Sequence, residues 1–537
     1  MAAVSPPLAI RRAFVEVGGR LVHLRIGGQG APLLLLHQSP RSSAELEPLI
    51  REWGAHFTCI APDMPGLGLS EPLAVLEPSM ADLARELIAL LDALGLHEVA
   101  AYGFHTGAAL AVTAAAQHPE RFTAIVANGF ACWTPAEVED FLSHYLPPFS
   151  PEGMGTHLPF WWTRMRDQRL FFPWFRLSDN ARLPLDVASP AEIHEQLMDV
   201  MRAGDSYRGP YGAAFRTDRT AIERLKIPAL LVGAANDPLT AHQSRFPALP
   251  EWVDVQRLDH QAACRAAALA LLQRNRPRLQ TLTLPSSALR GYVSVAAEDF
   301  SGDLHWLAAP GDGPVQLLIP PPGSTAALAL RAARRIDPAA QWLALDLPGH
   351  GASDPWPESL TSLNGLADVV KAAASALEVE RLVAQGDSAV VALAAASDPY
   401  WQAVRTQSAV LPLDLASHGH ACLPDRTPDP AGAHLLRTWQ AVRDGALFWP
   451  WYKPTAVHAR PLGPLDPETL NLQQVALFDA QGVAPLLALL AQADLAALLG
   501  APQGQVTWGM PLWAAQRPDV WRPVRAETLV SLHLEDD

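Results

Sequence analysis

The sequence predicts an α/β architecture of two tandem domains, each a doubly wound, mostly parallel sheet carrying an insertion. Three observations carry that expectation. Short runs such as Leu33–Leu36 are apolar throughout, the pattern of a strand buried on both faces of a parallel sheet. These runs alternate with segments of helical spacing, as βαβ units require. Parts of the first half also return in the second at a fixed offset. Asp346 to Ser353 (DLPGHGAS) lies 283 residues after Asp63 to Ser70 (DMPGLGLS), and Gly386 to Val390 (GDSAV) lies 283 after Gly103 to Gly107 (GFHTG).

Length and composition agree. A chain of 537 residues suits two domains of about 250 residues each, and its 49% apolar content is enough for two cores. The net charge is −15 and the only lysines are Lys226, Lys371 and Lys453, which argues against a nucleic-acid partner. Cys59, Cys132, Cys264 and Cys422 show no C-x-x-C spacing, so they read as small core residues and not as a disulfide framework or zinc cluster. No apolar h-region follows Arg11 and Arg12, and no stretch has about 18 uninterrupted apolar residues. The expectation is a soluble, cytoplasmic protein without a membrane partner.

In chain order, Phe14–Ile26 reads as a hairpin turning at Gly18-Gly19, followed by the strand Leu33–Leu36 and the loop His37 to Ser43 (HQSPRSS). A helix around Ala44–Trp53, a strand at Phe57–Ala61, the DMPGLGLS loop and a helix over Met80–Leu94 come next. The strand beginning at Val99 runs into Tyr102 to Ala108 (YGFHTGA) and the Ala-rich segment Ala109–Ala116, a strand, sharp turn and helix in succession. After the strand Thr123–Ala127, the aromatic and Pro-rich region at about 133–224 breaks the rhythm and reads as an insertion. The core resumes at Ile227–Gly233, Asn236-Asp237-Pro238, the strand Val253–Leu258, His260 and the helix Ala262–Gln273. The expected domains are 1–274, a linker at 275–289, and 290–537 with an insertion at about 418–500. The insertions share sequence too, since His157 to Phe175 aligns without a gap to His434 to Tyr452. Tandem duplication accounts for this better than a shared fold alone.

HQSPRSS is similar to the loop HGxPGSS, DMPGLGLS matches DxPGxGxS at every fixed position, and GFHTG matches GxSxG except at the nucleophile. With that order and spacing, the chain resembles the capped branch of the α/β-hydrolase superfamily, which implies that the insertions at about 133–224 and 418–500 are helical cap insertions. The resemblance implies a nucleophile elbow at His105, an acid at Asp237 and a histidine at His260. A carboxylate would hold one imidazole nitrogen so that the other faces the reacting group. It also implies an oxyanion hole of backbone N–H groups from Thr106 and from Gln38 or Ser39. His105 has three possible jobs: forming an acyl-imidazole, acting as a general base, or binding a metal with His260 and either His37 or Asp237. Against these stands a packing role in an inert site. The expected activity is hydrolysis of an ester or carbon–carbon bond in a small organic carbonyl compound, without metal or cofactor. The alternatives are a non-catalytic binding or scaffold protein and a lyase using His105 as base. His37 and the cap residues His157, Trp162, Arg166 and Trp174 are the candidate substrate contacts, and the aromatic cap suggests an apolar or aromatic small-molecule substrate.

The second half reads as degenerate. Ser388 occupies the elbow position, but Pro321 and Pro322 stand opposite Gln38 and Ser39, and proline has no N–H to offer an oxyanion. No carboxylate occurs in Met510–Trp513, which corresponds to the loop carrying Asp237, so Asp414 would be a substitute acid. Val390 replaces the second elbow glycine, and His533 leaves no room for a closing helix before Asp537. Ser388 is expected to be structural, and this half to serve as a packing partner, an intramolecular pseudo-dimer mate or a wall of the first pocket.

Overall fold

The computed structural model describes residues 8–396, 398–407, 422–448, 451–460, 465–494, 498, 506–511 and 532–535. Asp414 and residues 512–531 lie outside the described residues. Two compact units emerge: Met1–Ser150 with Pro159–Ser287, and Pro151–Leu158 with Ala288–Asp537.

The first unit is built on an eight-stranded sheet. Its strands are β1 (Ile10–Val17), β2 (Arg20–Gly27), β3 (Ala31–Leu36), β4 (Phe57–Pro62), β5 (Val99–Phe104), β6 (Phe122–Asn128), β7 (Ala229–Ala234) and β8 (Val253–Leu258). Their spatial order is β1-β2-β4-β3-β5-β6-β7-β8, with β2 antiparallel to both neighbours and all later pairs parallel. Every residue of β3 is buried, as its apolar run requires. The chain leaves β3 for β4 on one side and returns to β5 on the other. The loops after β3 and β5 therefore diverge, and such switch points open crevices at the carboxyl ends of parallel strands.

Local chemistry sets the helices. Ser79 and Asp82 form a capping box that starts Met80–Ala93. The helix expected over Ala44–Trp53 is divided into a 3-10 turn at Ser43–Leu46 and an α-helix at Glu47–Trp53. Pro48 explains the break, because proline is tolerated only where no helical N–H is needed. The region expected as a cap holds helices Pro135–His144, His157–Leu170, Pro190–Ala203 and Arg208–Phe215. Much of the segment expected as a linker lies on the first unit: Thr283 N–H donates to Leu94 O (3.0 Å), and Gln280 Oε1 accepts from His97 N (2.7 Å). All four cysteines are free and buried.

The second unit's strands are β9 (Arg290–Ala297), β10 (Phe300–Ala309), β11 (Asp312–Ile319), β12 (Ala340–Leu345), β13 (Arg381–Gln385), β14 (Ala403–Gln407), β15 (Val506–Pro511) and β16 (Leu532–Glu535). They lie in the order β9-β10-β12-β11-β13-β14-β15-β16, the same relative order as in the first sheet. A buried hydrogen-bond cluster also recurs. In the first unit, Asp63 Oδ2 meets His23 Nδ1 at 2.8 Å, Asp63 Oδ1 accepts from Ser43 N, and His23 N donates to Ser70 Oγ. In the second, Asp346 Oδ2 meets His305 Nδ1 at 2.7 Å, Asp346 Oδ1 accepts from Ala326 N, and His305 N donates to Ser353 Oγ. In both clusters these bonds outweigh the cost of burial and hold the aspartate's pKa below the usual carboxylate value.

Candidate active site

His105 links β5 to the helix Thr106–Gln117 with φ +47° and ψ −105°, a conformation rare for any residue but glycine. Holding it there costs of order 1–3 kcal/mol, which surrounding contacts must offset. Close packing forces the turn: a Cβ on Gly107 would lie 2.2 Å from Leu36 O, so only glycine lets the helix approach β3 this closely. The side chain at 105 is thereby aimed out of the sheet's carboxyl edge, and 27% of it remains exposed.

The imidazole makes two hydrogen bonds. Nε2 meets Asp237 Oδ2 at 2.7 Å, and Nδ1 meets Gln38 Oε1 at 3.1 Å. Asp237 follows β7, is nearly buried, and uses its other oxygen to accept from Leu239 N (2.9 Å). The ring stacks on Phe104 at 4.0 Å between centroids and rests on Gly129. A Cβ at Gly129, whose φ is +73°, would fall 2.3 Å from His105 Cδ2. Burial disfavours the charged imidazole, but the Asp237 charge and hydrogen bond, with Glu45 adding to them, raise the His105 pKa above its ordinary value. Burial likewise acts on Asp237, yet the His105 charge and hydrogen bonds leave its carboxyl below the usual range.

His105 and Asp237 thus come together, but His260 does not join them. Asp237 does not stand behind His260. That residue is exposed at the start of the helix Gln261–Arg274, where its Nδ1 accepts from Ala263 N at 3.1 Å as an N-cap. The reason is reach. A serine at the elbow would need a second histidine to connect it to the acid, whereas an imidazole at 105 spans that distance itself.

The oxyanion hole also differs from expectation. Gln38 N–H donates to Glu45 Oε1 (2.8 Å) and Ser39 N–H to Thr106 Oγ1 (3.3 Å), so both donors already have acceptors within the protein. Thr106 stands first in its helix, where backbone N–H groups have no intrahelical acceptor, so its donor fits the expected role. His37 is fully buried: its Nδ1 meets Gln38 O (2.8 Å) and its Nε2 accepts from Met64 N (2.9 Å). Both nitrogens are thus engaged by backbone groups.

The cap candidates sit among other partners. His157 falls in the second unit, its ring 5.0 Å from that of Trp439, and burial pushes its pKa down to about 4. Trp162 is buried, Trp174 Nε1 donates to Tyr145 O (3.1 Å), and half-exposed Arg166 lies 3.5 Å from Asp167. The buried cation of this helix is Arg164, set over the rings of Trp161 (5.1 Å) and Trp174 (5.2 Å). Their spacing could not tell an inward from an outward helix face, because the helix carries aromatic residues on several sides. In the second unit, Ser388 is buried with ordinary backbone angles (φ −65°, ψ −6°) and donates to Pro320 O (2.7 Å). The positive φ of that turn belongs to Gly386.

Two participants escaped sequence reasoning, Glu45 and the side chain of Gln38. Glutamine where the similar motif has glycine was a readable signal, because it adds an amide next to the elbow.

Residues 31–250 match the sequence family described as the alpha/beta hydrolase fold. The first half has the α/β-hydrolase fold. This half is 33% identical over 129 residues to the 2-(acetamidomethylene)succinate hydrolase of Mesorhizobium japonicum, a match covering 24% of this chain and 46% of that protein. It is 35% identical over 122 residues to the 2-hydroxymuconate semialdehyde hydrolase of Pseudomonas putida, covering 22% and 43%. The chain spans less than half the length of these curated relatives. Among solved structures, epoxide hydrolase A of Mycobacterium thermoresistibile is 17% identical with a TM-score of 0.39, covering 52% of this chain and all of that one.

Proposed function

We propose that the hydrolase-fold half is an enzyme that hydrolyses a small organic carbonyl compound, with His105 and Asp237 as an acid–base dyad and water as the attacking group. The observation that carries this reading is the 2.7 Å bond from His105 Nε2 to Asp237, made from a strained elbow. A carboxylate fixing one ring nitrogen reserves the other for moving protons once its contact with Gln38 opens. In the working form Nε2–H donates to Asp237 and Nδ1 carries a lone pair. Nδ1 takes a proton from water as its oxygen attacks the carbonyl carbon, then returns that proton to the leaving group as the carbon–heteroatom or carbon–carbon bond breaks. Asp237 remains a carboxylate throughout. Thr106 N–H is the backbone donor suited to the developing oxyanion. The hydrolases among the relatives support the reaction class, and two of them are named for small organic acids or aldehydes.

The second half fits a duplicated copy of the first that has lost this site. Support comes from the shared strand order, the Asp346 cluster repeating that of Asp63, and the aligned caps. A second reading, a binding protein without turnover, is favoured by Gln38 and Ser39, whose N–H groups are already satisfied.

The test is hydrolysis of activated aryl esters and vinylogous diketones by wild type, His105→Ala and His260→Ala across pH. Activity should rise with pH as Nδ1 deprotonates, vanish in His105→Ala and persist in His260→Ala. Turnover by His105→Ala, or its loss in His260→Ala alone, would refute the dyad. A wild type inert across the panel supports the binding protein.

A further inference from the structure

Four groups form one hydrogen-bonded line through the site. Glu45 accepts from Gln38 twice, from the backbone N at Oε1 (2.8 Å) and from Nε2 at Oε2 (3.0 Å). Gln38 Oε1 faces His105 Nδ1 at 3.1 Å, and His105 Nε2 faces Asp237 Oδ2 at 2.7 Å. A primary amide has one donor end and one acceptor end. With its NH2 on the Glu45 carboxylate, only its carbonyl is left for Nδ1, so Nδ1 must hold a proton. Nε2, opposite a carboxylate, holds one as well. The imidazole is then a cation with no lone pair, neither nucleophile nor base.

Flipping the amide reverses this. Its NH2 would then donate to Nδ1, which suits a neutral ring with a lone pair there. Its carbonyl, however, would face the Glu45 carboxylate, acceptor against acceptor, until Glu45 gained a proton. The two arrangements hold the same number of protons. One is ionised Glu45 with cationic His105, the other protonated Glu45 with neutral His105, and the amide orientation follows the proton.

We infer that Glu45 is a positioning residue: through the Gln38 amide it decides whether Nδ1 of His105 meets an acceptor or a donor, and so whether the imidazole is held as a cation or as a neutral ring with its lone pair at Nδ1. This rests on the acid–base reading of His105, but its test needs no turnover. The charged and titratable groups facing the line are Asp237 and Glu45 at His105, His242 at Asp237, and Arg41 and His37 at Glu45. Burial raises the Glu45 pKa against the opposing pull of Arg41, His37 and the Gln38 bonds, which brings its protonated form within closer reach. Arg41 is in turn tied to Asp199 at 2.8 Å.

The experiment follows the His105 ring nitrogens by 15N NMR through a pH titration of wild type, Glu45→Gln, Gln38→Leu and the double variant, with thermal melts confirming folding. Glu45→Gln should move the His105 midpoint to lower pH, because the amide can now turn its NH2 toward Nδ1. Gln38→Leu should also lower it by removing the acceptor. In the Gln38→Leu background, adding Glu45→Gln should shift it clearly less than in wild type, leaving only the direct effect of the Glu45 charge, the signature of coupling through the amide. An unmoved midpoint in Glu45→Gln, or the same shift with and without Gln38, would overturn the inference. If Glu45→Gln does not fold, an unmoved midpoint in Gln38→Leu overturns it alone. Shifted midpoints in a protein without turnover would sustain the positioning role and remove only the hydrolytic reading.

Discussion

Replacing Asp237 by Asn tests the centre of the site. The amide oxygen can still accept from Leu239 N, so the local turn is preserved and the change falls on the charge facing His105. Removing one partner of a buried ion pair costs about 3–5 kcal/mol. Asp237 is 6% exposed but the imidazole is 27% exposed, and solvent screening brings the expectation to about 2 kcal/mol. The pH dependence follows from the directions of the two shifts. His105 has a folded pKa above its ordinary 6.5, so its contribution is full below 6.5 and lost as pH climbs through the folded value. Asp237 has a folded pKa below its ordinary 3.8, so its contribution is full above 3.8 and lost as pH falls through the folded value. The pair is therefore at full strength from 3.8 to 6.5. Urea unfolding of wild type and Asp237→Asn at about pH 5.5 and about pH 9 measures this directly. The difference should be near 2 kcal/mol at the lower pH and clearly smaller at the higher one. An equal difference at both would show that His105 does not change charge between these pH values while paired with Asp237, and the ion-pair reasoning would fall with it.

Two further substitutions probe the frame around the dyad. Gly129→Ala places a methyl group 2.3 Å from His105 Cδ2 at a φ of +73°, and should cost about 2–4 kcal/mol in a thermal melt while displacing the ring from Asp237. Ser388→Ala removes one buried hydrogen bond to Pro320 O, and should cost about 1 kcal/mol with hydrolysis unchanged.

What the sequence determined by itself was mostly periodic or local. The all-apolar run Leu33–Leu36, the Gly18-Gly19 turn and the glycines around His105 each encode backbone geometry in residue type, so the first sheet and its elbow could be read in order. Pro48 breaks the single helix expected over Ala44–Trp53, an effect the sequence pattern did not reveal because it depends on where the helix begins. Chain order also put His105 and Asp237 at one end of the sheet, because parallel strands present their following loops together.

Tertiary structure decided which groups actually meet. Order along the chain could not say whether Asp237 turns to His260 or to His105, since both follow from the same strand sequence. The size of the imidazole and the N-capping pull of the helix Gln261–Arg274 settled it. Backbone donors at Gln38 and Ser39 looked free in sequence because their acceptors, Glu45 Oε1 and Thr106 Oγ1, become neighbours only once the loop folds onto the elbow. Residue types fixed what each group could donate or accept, and only packing decided the partner to which it was committed.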